Sequence, residues 1–325
     1  IFHELEEYQK AINSFEKAIK IKPDYAEAHS HLGMIFKEIG NFEQAINCFK
    51  TTLKYKPDDL ITLHYLYDLN KEVLSSDLEE KIIQIINNKN STKLNLAYGN
   101  FLLSIYELQR KNYKNEFNYL IKGHNHYFDS EKYNFTNVIK YWSKVVPEVK
   151  RLVISIKSNI EIKKKGNDIK PIFIIGVPRC GSTLIEKVIA SGDKYIPIGE
   201  ETGIFHNVIS NAIFKKQLTN TNIDTIKTMI FEKFNHKNLI KEKNNYIFTD
   251  KSLENLFYMR FIKEIFPNAK VIFCKRNAFS SIISIIKNNL TKVSWAHSIE
   301  NIFSYFDIFF NEIKYLKKDF PNFIY

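Results

Sequence analysis

From the start of the chain to about residue 162, apolar positions recur three and four apart with polar positions between them, the spacing of amphipathic helices. The first part of this stretch repeats itself. Tyr8, Ala11, Phe15, Pro23 and Asp24 return as Phe42, Ala45, Phe49, Pro57 and Asp58, each 34 positions later. The pattern predicts paired helices. Ala45 is small enough for the second helix of a pair to approach the first, and Phe49 fills the space one turn on. Pro57 ends that helix and sets the turn into the next unit. Residues 94–120, with Tyr113 in the place of Tyr8 and Phe42, predict a further, degenerate hairpin. The polar segment KKKGNDIKP, with Gly166 and Pro171, closes the helical region. Two domains are therefore expected, residues 1–165 and 166–325.

Beyond that linker the pattern changes. PIFIIGV is a continuous apolar run of the kind found in strands buried on both faces. NYIFTD and AKVIFCKR predict two more strands, and NFIY the start of a fourth. Helical spacing lies between them, over residues 183–190, 222–234, 256–265, 279–288 and 298–316. Alternating strands and helices predict a three-layer α/β domain with a mostly parallel sheet. The 34-residue period upstream, with Leu32, Gly33 and Phe36 in the second unit, resembles the tetratricopeptide repeat. Two clear units are fewer than the three or so such a stack needs, so the array is expected to extend beyond them.

Composition narrows the function classes. Apolar residues make up 44% of the 325, enough for a globular core. No run of eighteen or so uncharged apolar residues is present, so no membrane span is expected. The net charge of +11 has two readings: a surface that attracts anions, or a bias toward Lys, Asn and Ile along the whole chain. No aromatic residues interleave with Lys163 to Lys165, which reads as solvated linker, and no nucleic-acid partner is expected. Cys48, Cys180 and Cys274 are widely spaced and form no CxxC, which argues against a disulfide framework and against zinc. A reducing, cytoplasmic compartment of bacterial type fits. His124 and His126 have no partners at ligand spacing. The chain begins without Met in the middle of a helical pattern, so its natural N-terminus is expected upstream.

The candidate chemistry centres on IGVPRCGSTL, residues 175–184. A strand running through this loop into a helix presents backbone N–H groups, and the helix dipole, to an anion. Gly176 and Gly181 stand where a nucleotide hydrolase has its loop glycines, but Ser182 and Thr183 follow in place of the lysine pair. Without that lysine, and with Arg179 inside the loop, the cradle suits one phosphate with a cation beside its leaving group. The kinase or NTPase alternative would need Asp250 as a magnesium ligand and lacks the loop lysine. A non-catalytic scaffold built on the repeats is the other alternative.

The segment FIIGVPRCGSTLIEKVIAS resembles the 5′-phosphosulfate loop of sulfotransferases, whose cosubstrate is 3′-phosphoadenosine 5′-phosphosulfate (PAPS). VIFCKRNAFSSIISIIKN resembles the family's second site, with Arg276 and Ser284 at the spacing that holds the 3′-phosphate. FTDKSLENLFYMRFIKEIFPNAK and SWAHSIENIFSYFDIFF resemble the tyrosylprotein and tetratricopeptide-type members, over about residues 172–325. The resemblance implies a transferase moving a sulfuryl group to a hydroxyl or amine by in-line transfer, with no metal. It implies donor-binding roles for Arg179, Cys180, Gly181, Ser182, Thr183, Arg276 and Ser284, and catalytic roles for Arg179 and Lys251. IPIGEET implies the base: Glu201 by the tyrosylprotein pattern, Glu200 by related bacterial ones. His206, on a helix near that loop, is a weaker candidate. The acceptor is left open between protein and glycan, and the repeats imply a peptide or protein partner. Three departures stand out. Gly203 replaces an Arg that in tyrosylprotein enzymes recognises acidic peptide. Cys180 occupies a position that is usually Ser. The chain stops at NFIY, where the family continues with a further strand and an acidic segment, so a C-terminal truncation is expected.

Overall fold

A computed structural model describes residues 2–136, 169–192, 195–214, 223–240, 247–291 and 293–325. The chain divides into two compact units, Ile1–Lys132 and Tyr133–Tyr325. The predicted boundary at 165/166, the linker lysines and the helical pattern over residues 137–162 lie outside the described residues.

The first unit is built from seven helices: α1 (Phe2–Ile21), α2 (Ala26–Glu38), α3 (Phe42–Tyr55), α4 (Leu60–Leu69), α5 (Ser76–Asn87), α6 (Lys93–Gln109) and α7 (Tyr113–Ser130). The predicted hairpins are α2–α3 and α6–α7. Ala45 and Phe49 are fully buried and share a core with Leu66. Gly33 lets α2 meet Phe49: a Cβ there would lie 2.6 Å from the ring. Both hairpin turns use one device. Asn41 and Asn112 cap α3 and α7 by accepting from the backbone N–H of Gln44 and Asn115. The residue before each cap is left-handed, Gly40 at φ 83° and Lys111 at φ 59°. Phe42 and Tyr113, the matched first residues of the second helices, are both exposed.

The connection from α4 to α5 was not among the predicted hairpin turns, and both helices pack on α6. It carries neither a Gly–Asn turn nor the aromatic that opens the other second helices. Asn70 caps a short 3-10 turn at Lys71–Val73 instead. Asn95 of α6 ties down the start of α4, accepting from Leu60 N–H at 3.2 Å and donating to the Asp58 carbonyl at 3.0 Å.

The second unit holds a parallel sheet with β1 (Ile172–Gly176) between β2 (Thr249–Asp250) and β3 (Lys270–Cys274). Among the described residues its helices are, in chain order, α8 (Ser182–Ala190), α9 (Ile204–Phe214), α10 (Ile223–His236), α11 (Met259–Ile265), α12 (Ala278–Lys287) and α13 (Ile299–Asp319). This is the expected α/β class, and α9 lies outside the five predicted helical spans. The predicted fourth strand begins as expected: Ile324 bridges Val271 in parallel, and Tyr325 N–H donates to the Val271 carbonyl at 2.9 Å. Phe173, Phe205, Phe234, Phe248 and Phe266 are fully buried. Their neighbouring ring centroids lie 4.9–6.5 Å apart, so β1, α9, α10 and the residues flanking β2 and α11 are anchored on one aromatic cluster. That cluster fixes the strand ends on which the candidate site stands.

Candidate functional site

The loop between β1 and α8 turns through two left-handed residues, Arg179 at φ 66° and Gly181 at φ 98°. Gly181 is suited to this conformation, whereas Arg179 adopts it at a cost of about 1–2 kcal/mol. Such strain in a surface loop is retained where the geometry is used. A Cβ added at Gly181 would meet nothing within 4 Å, so open space lies beside the loop. No side chain caps the N-terminus of α8. Exposed Arg179, Gly181 and Thr183 and half-buried Ser182 face that opening with a cation, hydroxyls and the first-turn N–H groups. The donor set is that of an anion cradle.

The second predicted pair comes to the same place. β3 ends at Cys274, Arg276 follows, and Ser284 lies inside α12. Arg179 Nε donates to Ser284 Oγ at 3.1 Å, and Arg276 Nη1 donates to the Arg179 carbonyl oxygen at 2.9 Å. Asn288 Nδ2 donates to the Ser284 carbonyl at 2.7 Å, which steadies that turn of α12. Residues about a hundred positions apart thus converge because β1 and β3 are adjacent and parallel, with Gly176 paired to Cys274 at their carboxyl ends.

The GEET segment runs alongside β2 on its other side. Thr249 N–H donates to the Pro197 carbonyl at 3.0 Å, and Lys251 N–H to the Glu200 carbonyl at 2.8 Å. Lys251 Nζ donates to Glu201 Oε1 at 3.3 Å; the Lys251 side chain is 9% exposed and that of Glu201 63%. Glu200 is exposed and left-handed at φ 51°. Only Glu201 of the two has a described ion pair with Lys251. His206 bonds the Tyr258 hydroxyl at 3.1 Å, and burial lowers its pKa, so the imidazole is neutral and engaged in the core.

Two acidic residues, Glu186 and Asp250, carry this arrangement without having been singled out as carriers, and a third, Glu254, lies near them. Glu186, buried in α8, accepts from Thr249 Oγ1 at 2.7 Å and from Glu200 N–H at 3.2 Å, tying the anion loop's helix to both β2 and GEET. Asp250 is fully buried and accepts from Thr202 Oγ1, from Ser252 N–H and Oγ, and from Asn255 Nδ2. Burial pushes its carboxyl above the usual range, against those four hydrogen bonds. An Asp so engaged organises the loops on either side of β2 and offers no open face as a magnesium ligand. Half-buried Glu254 is pushed up by burial, with the charges of Glu201 and Asp250 adding to the shift. Pairings such as Thr202 with Asp250 span 48 positions and leave no local signal in the sequence.

Cys180 lies between the two left-handed residues and touches Cys274. The Cys274 thiol donates to the Cys180 sulfur, and the Ser182 N–H and hydroxyl add to it, so the Cys180 thiol falls to about 6 despite burial. All three cysteines are free. Among the described residues no group of three or more His, Cys, Asp or Glu could hold a metal ion. Among the same residues no helix is long and apolar enough to cross a membrane.

Comparison with known proteins bears on the same segments. Residues 171–320 match the model of the sulfotransferase family. Residues 1–40 match a TPR-repeat model and residues 26–59 a tetratricopeptide-repeat model. An uncharacterized protein of Aquifex aeolicus (strain VF5) is 26% identical over 227 residues, covering 63% of this chain and 28% of that protein. The chain thus spans less than a third of this relative's length. Residues 171–320 are thus similar to the sulfotransferase family, and residues 1–59 to tetratricopeptide repeats.

Proposed function

We propose that this protein is a PAPS-dependent sulfotransferase acting on a hydroxyl or amine acceptor. The observation that carries the reading is the convergence of Arg179, Arg276 and Ser284 beside an uncapped helix N-terminus. Two cations and two sets of hydroxyl and N–H donors in one place suit a nucleotide with two separate phosphates. When bound, PAPS supplies the sulfuryl group and leaves as adenosine 3′,5′-bisphosphate (PAP).

The remaining chemistry belongs to the chain. Gly181, Ser182 and Thr183 hold the 5′-phosphate through N–H and hydroxyl donors, with Cys180 shaping the turn. Arg276 and Ser284 hold the 3′-phosphate, which distinguishes this donor from ATP. For both phosphates to enter, Arg179 exchanges its bond to Ser284 for the ligand, a swap between exposed polar groups that costs little. Arg179 and Lys251 then face the charge that develops on the transferring group. Glu201 takes the acceptor proton, and its pairing with Lys251 favours it over Glu200: a base held beside the cation that meets the sulfuryl group is positioned for in-line attack. The repeats supply a surface for a peptide or protein, and the acceptor class itself is open between protein and glycan.

The test is a thermal-shift titration of the full chain with PAP and with ATP–Mg. Stabilisation by PAP alone is the expected result. Equal stabilisation by ATP–Mg would support a phosphoryl-transfer enzyme, and no response to either would leave a scaffold role. Transfer of labelled sulfate to an acceptor panel of peptides and glycans then identifies the substrate.

A further inference from the structure

Cys180 and Cys274 are 94 positions apart in sequence, yet they share one small space. Gly176 pairs with Cys274 across β1 and β3. A Cβ built on Gly176 would collide with Cys180 Sγ and would lie 3.3 Å from Cys274 Cβ and 2.9 Å from its carbonyl oxygen. Both side chains therefore occupy the space above a glycine that has no side chain to separate them. Cys180 is half-buried and open to small reagents, whereas Cys274 is 8% exposed.

We propose that Cys180 and Cys274 form an oxidisable dithiol built into the anion loop, closed to a disulfide by peroxide and reopened by thiols, and that the closed form does not hold the phosphate ligand. The first part stands on the geometry alone; the second rests on the donor-binding reading of the loop.

The chemistry balances in two steps. The Cys180 sulfur attacks one peroxide oxygen, the O–O bond breaks, and water leaves a sulfenic acid on Cys180. The Cys274 sulfur then attacks Cys180, the S–O bond breaks, and the Cys274 proton departs with the second water. Two thiols and one peroxide become a disulfide and two waters. The charges suit these roles. The hydrogen bond from the Cys274 thiol, and those from Ser182, lower the Cys180 pKa and favour it as the attacking sulfur, while its hydrogen bond to Cys180, and then burial, raise that of Cys274 and favour it as the second thiol. Cys48 is a built-in control, its thiol pushed up to about 11 by burial in α3.

The consequence for the loop follows from its neighbours. Cys180 sits between left-handed Arg179 and Gly181, and its sulfur shares Ser182 donors that face the opening. Drawing that sulfur from hydrogen-bond to covalent distance of Cys274 turns the peptide units on both sides of it, and with them Arg179 and the Ser182 N–H.

The experiment treats the full chain with a small excess of hydrogen peroxide at neutral pH and follows intact mass, peptide mapping and PAP-induced thermal stabilisation. The expected result is a species lighter by about two hydrogens, ~2 Da, with the Cys180 and Cys274 peptides linked and Cys48 still alkylatable. PAP affinity should fall about tenfold or more, the loss of roughly one charge-assisted hydrogen bond, and return with dithiothreitol. Cys274→Ala should form no link and instead trap a sulfenic acid at Cys180 with dimedone. The mass measurement on the unsubstituted chain needs no variant to fold. Oxygen added separately to Cys180 and Cys274, or oxidation of Cys48 at the same rate, overturns the dithiol. A linked species that still binds PAP as well as the reduced one overturns the control of binding. Reduced protein that ignores PAP while still forming the link removes the donor reading and leaves the dithiol standing.

Discussion

Arg276 does two things with one guanidinium. One arm holds the carbonyl of a strained Arg179, and the side chain is exposed, so that the rest of its fork can meet an anion. Arg276→Ala should weaken PAP binding about 10- to 100-fold, equivalent to ~1.5–3 kcal/mol for charge-assisted bonds. Isothermal titration checks this, and a loss under threefold would remove Arg276 from the phosphate site. The two glutamates of GEET separate in a different measurement. Glu201→Gln should lower kcat by about 10²- to 10⁴-fold with PAP affinity preserved, and Glu200→Gln by far less. The reverse order would move the base to Glu200 and reduce Glu201 to the partner of Lys251. The residue types at these positions were legible because the strand–loop–helix around them imposes local patterns. Glu186 and Asp250 were not legible as carriers of the site. The threonine hydroxyls they accept from lie 63 and 48 positions away, and nothing near a buried carboxylate in sequence announces which distant hydroxyl will reach it.

At the scale of elements, the 34-residue period reported the α2–α3 hairpin because its signals are packing constraints that recur. Gly33 must be bare to meet Phe49, and Ala45 must be small. The same logic made the α6–α7 hairpin readable, since the Asn cap and the exposed aromatic at Asn112–Tyr113 survive there. The stretch from α4 to α5 has neither and went unseen, although Leu66 of α4 belongs to the same core as Ala45 and Phe49. The degenerate hairpin also predicts its own repair. Lys111 holds the left-handed turn that Gly40 holds in the better-preserved unit. Lys111→Gly should therefore stabilise the repeat unit by about 0.5–1 kcal/mol, because the strain relieved exceeds the flexibility that glycine adds to the unfolded chain. Urea denaturation followed by circular dichroism gives the sign. A destabilised variant would mean that the Lys111 side chain contributes more than the turn costs. In the second unit the four strand starts were readable as apolar runs. β2 has only two residues, Thr249 and Asp250, in the sheet, because it gives way at once to the hydrogen-bonded Asp250 loop.

For the molecule as a whole, the sequence left the net charge of +11 with two meanings, an anion-attracting surface or a lysine-rich composition. The structure sets the Arg276 guanidinium on the Arg179 backbone carbonyl and the Arg179 side chain on Ser284, both exposed, so two of these charges stand on the segments where the proposed ligand would carry its phosphates. A bisphosphate nucleotide is strongly anionic, and its attraction to such a site is screened over about 10 Å at 0.1 M salt and about 3 Å at 1 M. PAP affinity should accordingly fall about three- to tenfold between 50 and 500 mM sodium chloride, more steeply than nucleoside binding, which lacks the phosphates. Charge spread evenly as a compositional habit predicts a weaker and ligand-independent response, because most of it would lie more than a Debye length from the opening. The same titration on Lys→Gln variants far from the loop, with Arg276 intact, separates the two: unchanged salt slopes assign the effect to the converged arginines, and slopes that flatten with every lysine removed assign it to the field of the whole chain.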